Sequence, residues 1–255
     1  MIAIFAAMDA ELAGLARRLS ARERETIGGQ RVVRGRCGGA DVLVCRTGIG
    51  ERVEGAMRAV LERYEASSVI SAGVAGALDP DLRAGDLVLC EAVVFGPDPQ
   101  APAVLSDARL LEAAASAAAR AGLRARRGRS LTVDGIVGDP AAKADLRRST
   151  GADVVEMESY RAGRIAGEKG LPFLAARVVL DEAAHPLPEL PGIVAPDGST
   201  RMWTVLPYLV RHPQRLPLLL RLARCQRRAM EALGVFLEAF AGLAPALPVA
   251  GTRRV

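Results

Sequence analysis

Apolar and polar positions along this chain fall into blocks with two different periods. Met1–Ala7 is an apolar run suited to a buried strand, and Asp9–Ser20 follows with helical spacing. Gln30–Gly35 and Asp41–Cys45 are β-rich pieces separated by the Gly38-Gly39 turn. Thr47-Gly48-Ile49-Gly50 is a glycine turn ahead of a helical pattern from Glu51 to about Glu62. Ser68–Ala72 reads as a strand running into a second glycine turn, Gly73-Val74-Ala75-Gly76. Leu87–Val94 is a third central strand, and Asp107–Ala121 an alanine-rich helix with Asp107 near its start. Leu131–Val137 reads as a strand and Ala141–Arg148 as a short helix. Val154–Met157 leads into a helix reaching about Lys169, and Phe173–Leu180 is a strongly apolar strand. Pro186–Gly198, with four prolines and two glycines, is a loop. The remainder is helical, broken by Pro207, Pro213 and Pro217.

Strands thus alternate with helices, and several strands are apolar throughout. That pattern belongs to an α/β fold in which helices cover both faces of a sheet. We expect one α/β domain over residues 1–200, with 201–255 as a helical, basic extension packed on it.

Composition narrows the chemistry. The chain has 255 residues and a formal charge of +5. Seven arginines and no acid lie between Gly198 and Met230, so that segment alone carries +7. The two histidines, His185 and His212, exclude sites built on several imidazoles, and neither a metal nor a cofactor is expected. Cys37, Cys45, Cys90 and Cys225 show no paired spacing, which suits small buried groups in a reducing compartment. Nine aromatics are too few for base-stacking platforms, so nucleic acid is not an expected partner. No apolar run reaches membrane-spanning length, and Met1–Met8 lacks a basic leader, so the expected location is the cytoplasm.

In such a sheet the site lies beyond the carboxyl ends of the strands. Glu11, the two glycine turns, Glu156, Glu158 and Asp181 all fall at such positions. Glycines there let backbone amides approach a ligand, although either turn alone fits plain strand-to-helix punctuation. Asp181 ends a buried strand, and a carboxyl on an apolar rim holds its proton more tightly, as proton donation requires. An N-cap role fits the same position. Glu156-Met157-Glu158 sets two carboxyls on opposite faces, one for sugar hydroxyls and one for the scaffold.

Five motifs in order resemble the nucleoside phosphorylase and nucleosidase superfamily over roughly residues 1–185. They are Ala6-Ala7-Met8-Asp9-Ala10-Glu11-Leu12, the Thr47–Gly50 turn, Ala72–Leu78 with Gly85–Val88, Val155–Glu158, and Arg177–Asp181. The resemblance is closest to the methylthioadenosine/adenosylhomocysteine nucleosidases. The tail, with His212-Pro213-Gln214-Arg215-Leu216-Pro217, is more similar to hopanoid-associated phosphorylases, which act on adenosylhopane. It implies a three-layer α/β/α sandwich around a mixed sheet. It further implies cleavage of the N-glycosidic bond of a 5′-substituted adenosine, phosphorolytic on adenosylhopane, with hydrolysis or binding without turnover as alternatives. Asp181 would protonate adenine at N7 and Glu11 activate the nucleophile. Glu158 would hold the ribose hydroxyls with Met157 packed on the sugar and Glu156 beside them. Ile136 and Val137 would line the base pocket, and Gly73 and Val74 the substrate floor. Gly48, Arg34 and Arg46 would meet phosphate or water, with Arg36 a further source of charge. The expected partners are the nucleoside, inorganic phosphate and further copies of the chain in a dimer or trimer.

Three departures bear on the acceptor. Val74 stands in place of a serine or threonine that bonds water or phosphate in relatives. Ser71 stands where a phosphorolytic relative carries its phosphate-binding arginine, and Leu180 replaces the serine before the catalytic aspartate. From Leu216 to Leu243, Arg221, Arg224, Arg228 and Glu231 recur opposite a leucine- and phenylalanine-rich face. Two readings fit that helix: one lying on an anionic membrane surface, and one packed on the chain's own sheet.

Overall fold

The computed structural model describes residues 1–96, 98, 102–187 and 216–243. Its elements run β1 (Ile2–Ala6), α1 (Asp9–Arg18), β2 (Ser20–Ile27), β3 (Gln30–Cys37), β4 (Ala40–Arg46), α2 (Arg52–Arg63), β5 (Ser68–Ala77) and β6 (Leu87–Phe95). There follow β7 (Val104–Leu105), α3 (Ala108–Arg120), β8 (Ala125–Thr132), α4 (Pro140–Thr150), β9 (Val154–Glu156), α5 (Ser159–Glu168), β10 (Phe173–Asp181) and α6 (Leu216–Leu243).

Among the described residues, all ten strands join one mixed sheet. Its centre is β5, apolar because both faces are covered: α1, α3 and α6 lie on one side, α2 and α5 on the other. One edge of β5 pairs along its length with parallel β10. The other edge pairs with parallel β1 from Ser68 to Ser71, then with antiparallel β9 at Gly76 and Ala77. From β10 the sheet continues through β6 and β8 back to β9, so five strands close on themselves. On the far side of β1 the sheet extends through β4, β3 and β2.

Four sequence expectations are corrected. Gly73–Gly76 is not a turn but the second half of β5, where the strand changes partner. β8 spans Ala125–Thr132, so 133–137 is loop rather than strand. Its opening residues read as polar because Arg126 pairs with Asp79 and Asp153, and Arg127 with Glu91 and Glu112. β2 went unseen because its exposed Glu and Arg residues give no apolar signal. Pro217 does not break a helix; it sits in the first turn of α6, where a missing N–H is tolerated. The loop beyond Leu187, with Pro207 and His212–Arg215, lies outside the described residues.

The described part of the extension is a layer of the fold. Ala229, Leu233, Phe236, Leu237 and Phe240 are fully buried, and α6 packs on α1, α3 and β10. Glycine makes this crossing close: a Cβ on Gly14 would lie 2.9 Å from the Gly234 Cα. The apolar face from Ala229 onward therefore meets protein. Arg224, Arg227 and Arg228 remain exposed on the first half. Among the described residues, no helix is long and apolar enough to cross a membrane.

Candidate active site

The change of partner along β5 creates the site. Between Ser71 and Gly76 that edge of the strand has neither β1 nor β9 beside it. The Val74 N–H donates instead to Glu11 Oε1 at 2.9 Å, and Glu11 Oε2 accepts from the Met8 N–H at 2.8 Å. Two backbone amides thus aim a buried carboxyl over the opened strand. A Cβ on Gly73 would collide with both Glu11 Oε1 and Arg177 Nη1, so glycine lets these two side chains close onto the strand. Here lies a cavity of about 780 Å³, within the usual range for small-ligand sites. The ends of β1, β5, β9 and β10, together with 49–52 and 133–137, form its walls.

Arg177 organises the floor. It is 2 % exposed in an otherwise apolar strand. Its Nη2 donates to Glu156 Oε2 at 2.6 Å and Ser71 Oγ at 2.9 Å, and its Nε to Ser159 Oγ at 3.1 Å. Glu156 is fully engaged. Oε2 also accepts from the Glu158 and Ser159 amides, at 2.9 and 2.7 Å, and Oε1 accepts from Thr132 Oγ1. Glu156 thereby anchors Arg177 and the start of α5. Glu158 is the outward-facing member, 3.9 Å from Arg177 Nη2. Burial, then the neighbouring Glu156 carboxylate, pushes Glu158 up to about 8 against the pull of Arg177. Burial likewise raises Glu11, opposed by its bond from Val74 and by Arg177.

Asp181 stands on the opposite wall. The β5–β10 register slips between Val179 and Asp181, setting Asp181 across from Gly76. Such a bulge re-aims a side chain. Burial raises the Asp181 carboxyl, while its partner Lys143 acts against that rise. Met157, Ile136 and Val137 give the cavity apolar surface. Arg161 ties the 133–137 loop to α5, through Asp134 Oδ1 at 2.6 Å and the Met157 carbonyl at 3.3 Å.

The family model of the phosphorylase superfamily matches residues 1–203. This chain belongs to the phosphorylase superfamily. It stands among enzymes that act on N-glycosidic bonds. It is 34 % identical over 201 residues to a 5′-methylthioadenosine/S-adenosylhomocysteine nucleosidase of Geobacillus thermodenitrificans, covering 72 % of this chain and 84 % of that one. A nucleosidase of the same name from Tolumonas auensis is 32 % identical over 203 residues, covering 73 % and 88 %. In fold it matches the Neisseria meningitidis nucleosidase solved with methylthio-immucillin-A, with a TM-score of 0.75, 21 % identity, and coverage of 96 % of this chain and 99 % of that one.

Against this superfamily frame, Glu11, Val74, Ile136, Val137, Glu156, Met157, Glu158 and Asp181 all line one cavity, whereas Gly73 does not line it but packs against the ends of Glu11 and Arg177. The three phosphate candidates among the arginines lie elsewhere. Arg34 pairs with Glu23 and Glu25 and covers the Tyr64 ring, Arg36 pairs with Asp41, and Arg46 lies 3.7 Å from Asp9. The Gly48 N–H is taken by the Ala7 carbonyl, while Ile49 and Gly50 face the cavity. Sequence reasoning assigned no role to Arg177 or Lys143. Each had a signal: Arg177 is a lone charge in an apolar strand, and Lys143 is one of only two lysines.

Proposed function

We propose that the chain hydrolyses the N-glycosidic bond of a 5′-substituted adenosine and releases adenine. The observation that carries this reading is the floor of the cavity. Three buried carboxyl groups, Glu11, Glu156 and Glu158, surround one guanidinium already bound to Glu156, Ser71 and Ser159. Phosphate entering there finds the one guanidinium already committed to Glu156, and Ser71 fills the position a phosphate-binding arginine would need. Water needs no such cation. Carboxyl oxygens around the sugar favour the positive charge that develops on it as the base leaves.

In this reading Asp181 gives a proton to N7, so adenine departs neutral. Glu158 accepts hydrogen bonds from the ribose hydroxyls, Met157 packs on the sugar, and Glu11 takes the proton of the attacking water within the cavity. A carboxyl held high by burial suits both acid and base roles near neutrality. By analogy with the nucleosidases the 5′ group is methylthio or homocysteinyl. An apolar mouth, where Ile136 is 75 % exposed, favours a second reading with a hopanoid 5′ group and the same chemistry.

The test is adenine release from methylthioadenosine, adenosylhomocysteine and adenosylhopane, with and without phosphate. Adenine and a free pentose in phosphate-free buffer are expected. Turnover only with phosphate, yielding a sugar 1-phosphate, would overturn water as acceptor. We further infer a cytoplasmic homo-oligomer, dimer or trimer, in which a second copy covers Ile136; light scattering checks its mass. The exposed arginines on the first half of α6 favour a peripheral contact with anionic lipid. Protein remaining in the supernatant with such vesicles at low salt would exclude that contact.

A further inference from the structure

The cation at the Asp181 wall is a lysine that the mechanism above leaves unused. Lys143 stands in the first turns of α4, whose start is fixed by Asp139 and Pro140. Its side chain has no exposure. Nζ pairs with Asp181 Oδ2 and donates to the Glu182 carbonyl at 3.2 Å. The choice of residue is informative in a chain with two lysines among 34 basic side chains. The other buried cations among the described residues, Arg161 and Arg177, are arginines. An ammonium is a compact point charge that suits this gap, whereas a guanidinium is a wider planar fork. With Leu180 preceding the aspartate, no hydroxyl at that position steadies Asp181.

We propose that Lys143 is the positioning residue for Asp181, aiming its carboxyl at the base. The inference rests on the hydrolase reading above. As the glycosidic C–N bond breaks, its electron pair goes to the base and N7 takes the proton of Asp181. Asp181 is left as a carboxylate, held in place by Lys143 Nζ. Water adds to the sugar carbon and its proton goes to Glu11. Once adenine leaves, that proton returns through solvent to Asp181, and nothing is oxidised or reduced.

The experiment is a double-mutant cycle of Lys143→Met and Asp181→Asn. It is read with 5′-methylthioadenosine and with 4-nitrophenyl riboside, whose leaving group departs without a proton. Lys143→Met is expected to lower kcat on methylthioadenosine by about tenfold or more, leaving KM within about twofold, and to lose far less on the nitrophenyl riboside. The double variant should be no slower than Asp181→Asn alone. Should Lys143→Met fold poorly, the double variant, which buries no unpaired carboxyl there, still makes that comparison. Lys143→Arg keeps the charge but replaces the compact ammonium with a wider fork, so it should stay slow; full rescue would mean that charge alone is needed and would overturn the positioning role. Equal losses on both substrates, or multiplying losses in the double variant, would reduce Lys143 to packing and overturn the proposal. Normal turnover by Lys143→Met beside a slow Asp181→Asn would do the same. A parent protein that releases adenine from no 5′-substituted adenosine, or full turnover by Asp181→Asn, would instead fell the hydrolase reading or its acid, and this proposal with it.

Discussion

Arg177 and Lys143 are both buried cations facing carboxyl groups across one cavity, yet their surroundings differ in kind. Arg177 spreads its fork over Glu156, Ser71 and Ser159, in a cluster that holds two further carboxyl groups. Lys143 meets one carboxylate and one carbonyl. The arginine's fork holds several partners at once, whereas the lysine's compact charge aims at one carboxyl. In the proposed mechanism the first is a standing electrostatic frame at the sugar, and the second steadies the acid that protonates the base.

That contrast can be broken most forcefully at the base end. Asp181→Asn should cost 10²–10⁴-fold in turnover with the fold intact, since adenine must then leave unprotonated. Kinetics paired with a thermal melt measure this, and near-normal adenine release would remove Asp181 from the chemistry. At the sugar end Arg177→Met should act first on stability. It strands Glu156 in the interior, a change that typically costs about 3–5 kcal/mol. Urea unfolding would show the loss, and an unchanged midpoint would mean the cluster is not the frame described.

Smaller effects sharpen the comparison. Glu158→Gln keeps the shape but leaves one acceptor oxygen where the carboxyl has two for the ribose hydroxyls, so kcat/KM should fall about tenfold. Equal kinetics of the parent on ribosides and 2′,3′-dideoxyribosides would contradict the sugar role. The smallest effect is on pH dependence. Glu158 is held at about 8 in the folded protein against an ordinary 4.5, so the native state binds its proton more tightly than the unfolded chain. Its contribution is complete below about 4.5 and fades as pH rises through about 8. Melts of the ligand-free protein should show stability declining across that window, with a shallower slope in Glu158→Gln.

Much of the fold was legible in the chain because burial acts locally. Unbroken apolar runs marked β1, β5, β6 and β10, and helical spacing, with Asp107 at the start of the first, marked α3 and α4. Glu11, Met157, Glu158 and Asp181 were legible too, as carboxyls and a thioether at strand ends matching the superfamily's motifs. What stayed hidden depends on partners distant in sequence. β2 and the start of β8 look like surface chain until their arginines and glutamates find countercharges on other elements.

The sequence by itself determined the α/β class, the superfamily and the kinds of groups at the strand ends, because strand and helix periods are properties of short segments. Only the tertiary structure decided that Gly73–Gly76 is a strand exchanging β1 for β9. It alone drew Lys143 to Asp181, Arg177 to Glu156, and Arg34 to Glu23 and Glu25. Likewise, both surface and core fitted α6 by its amphipathic pattern, and packing against α1, α3 and β10 assigned its second half to the core. The reason is physical: a charge is silent in sequence about its partner, and sheet register together with exclusion of water selects which opposite charge it meets.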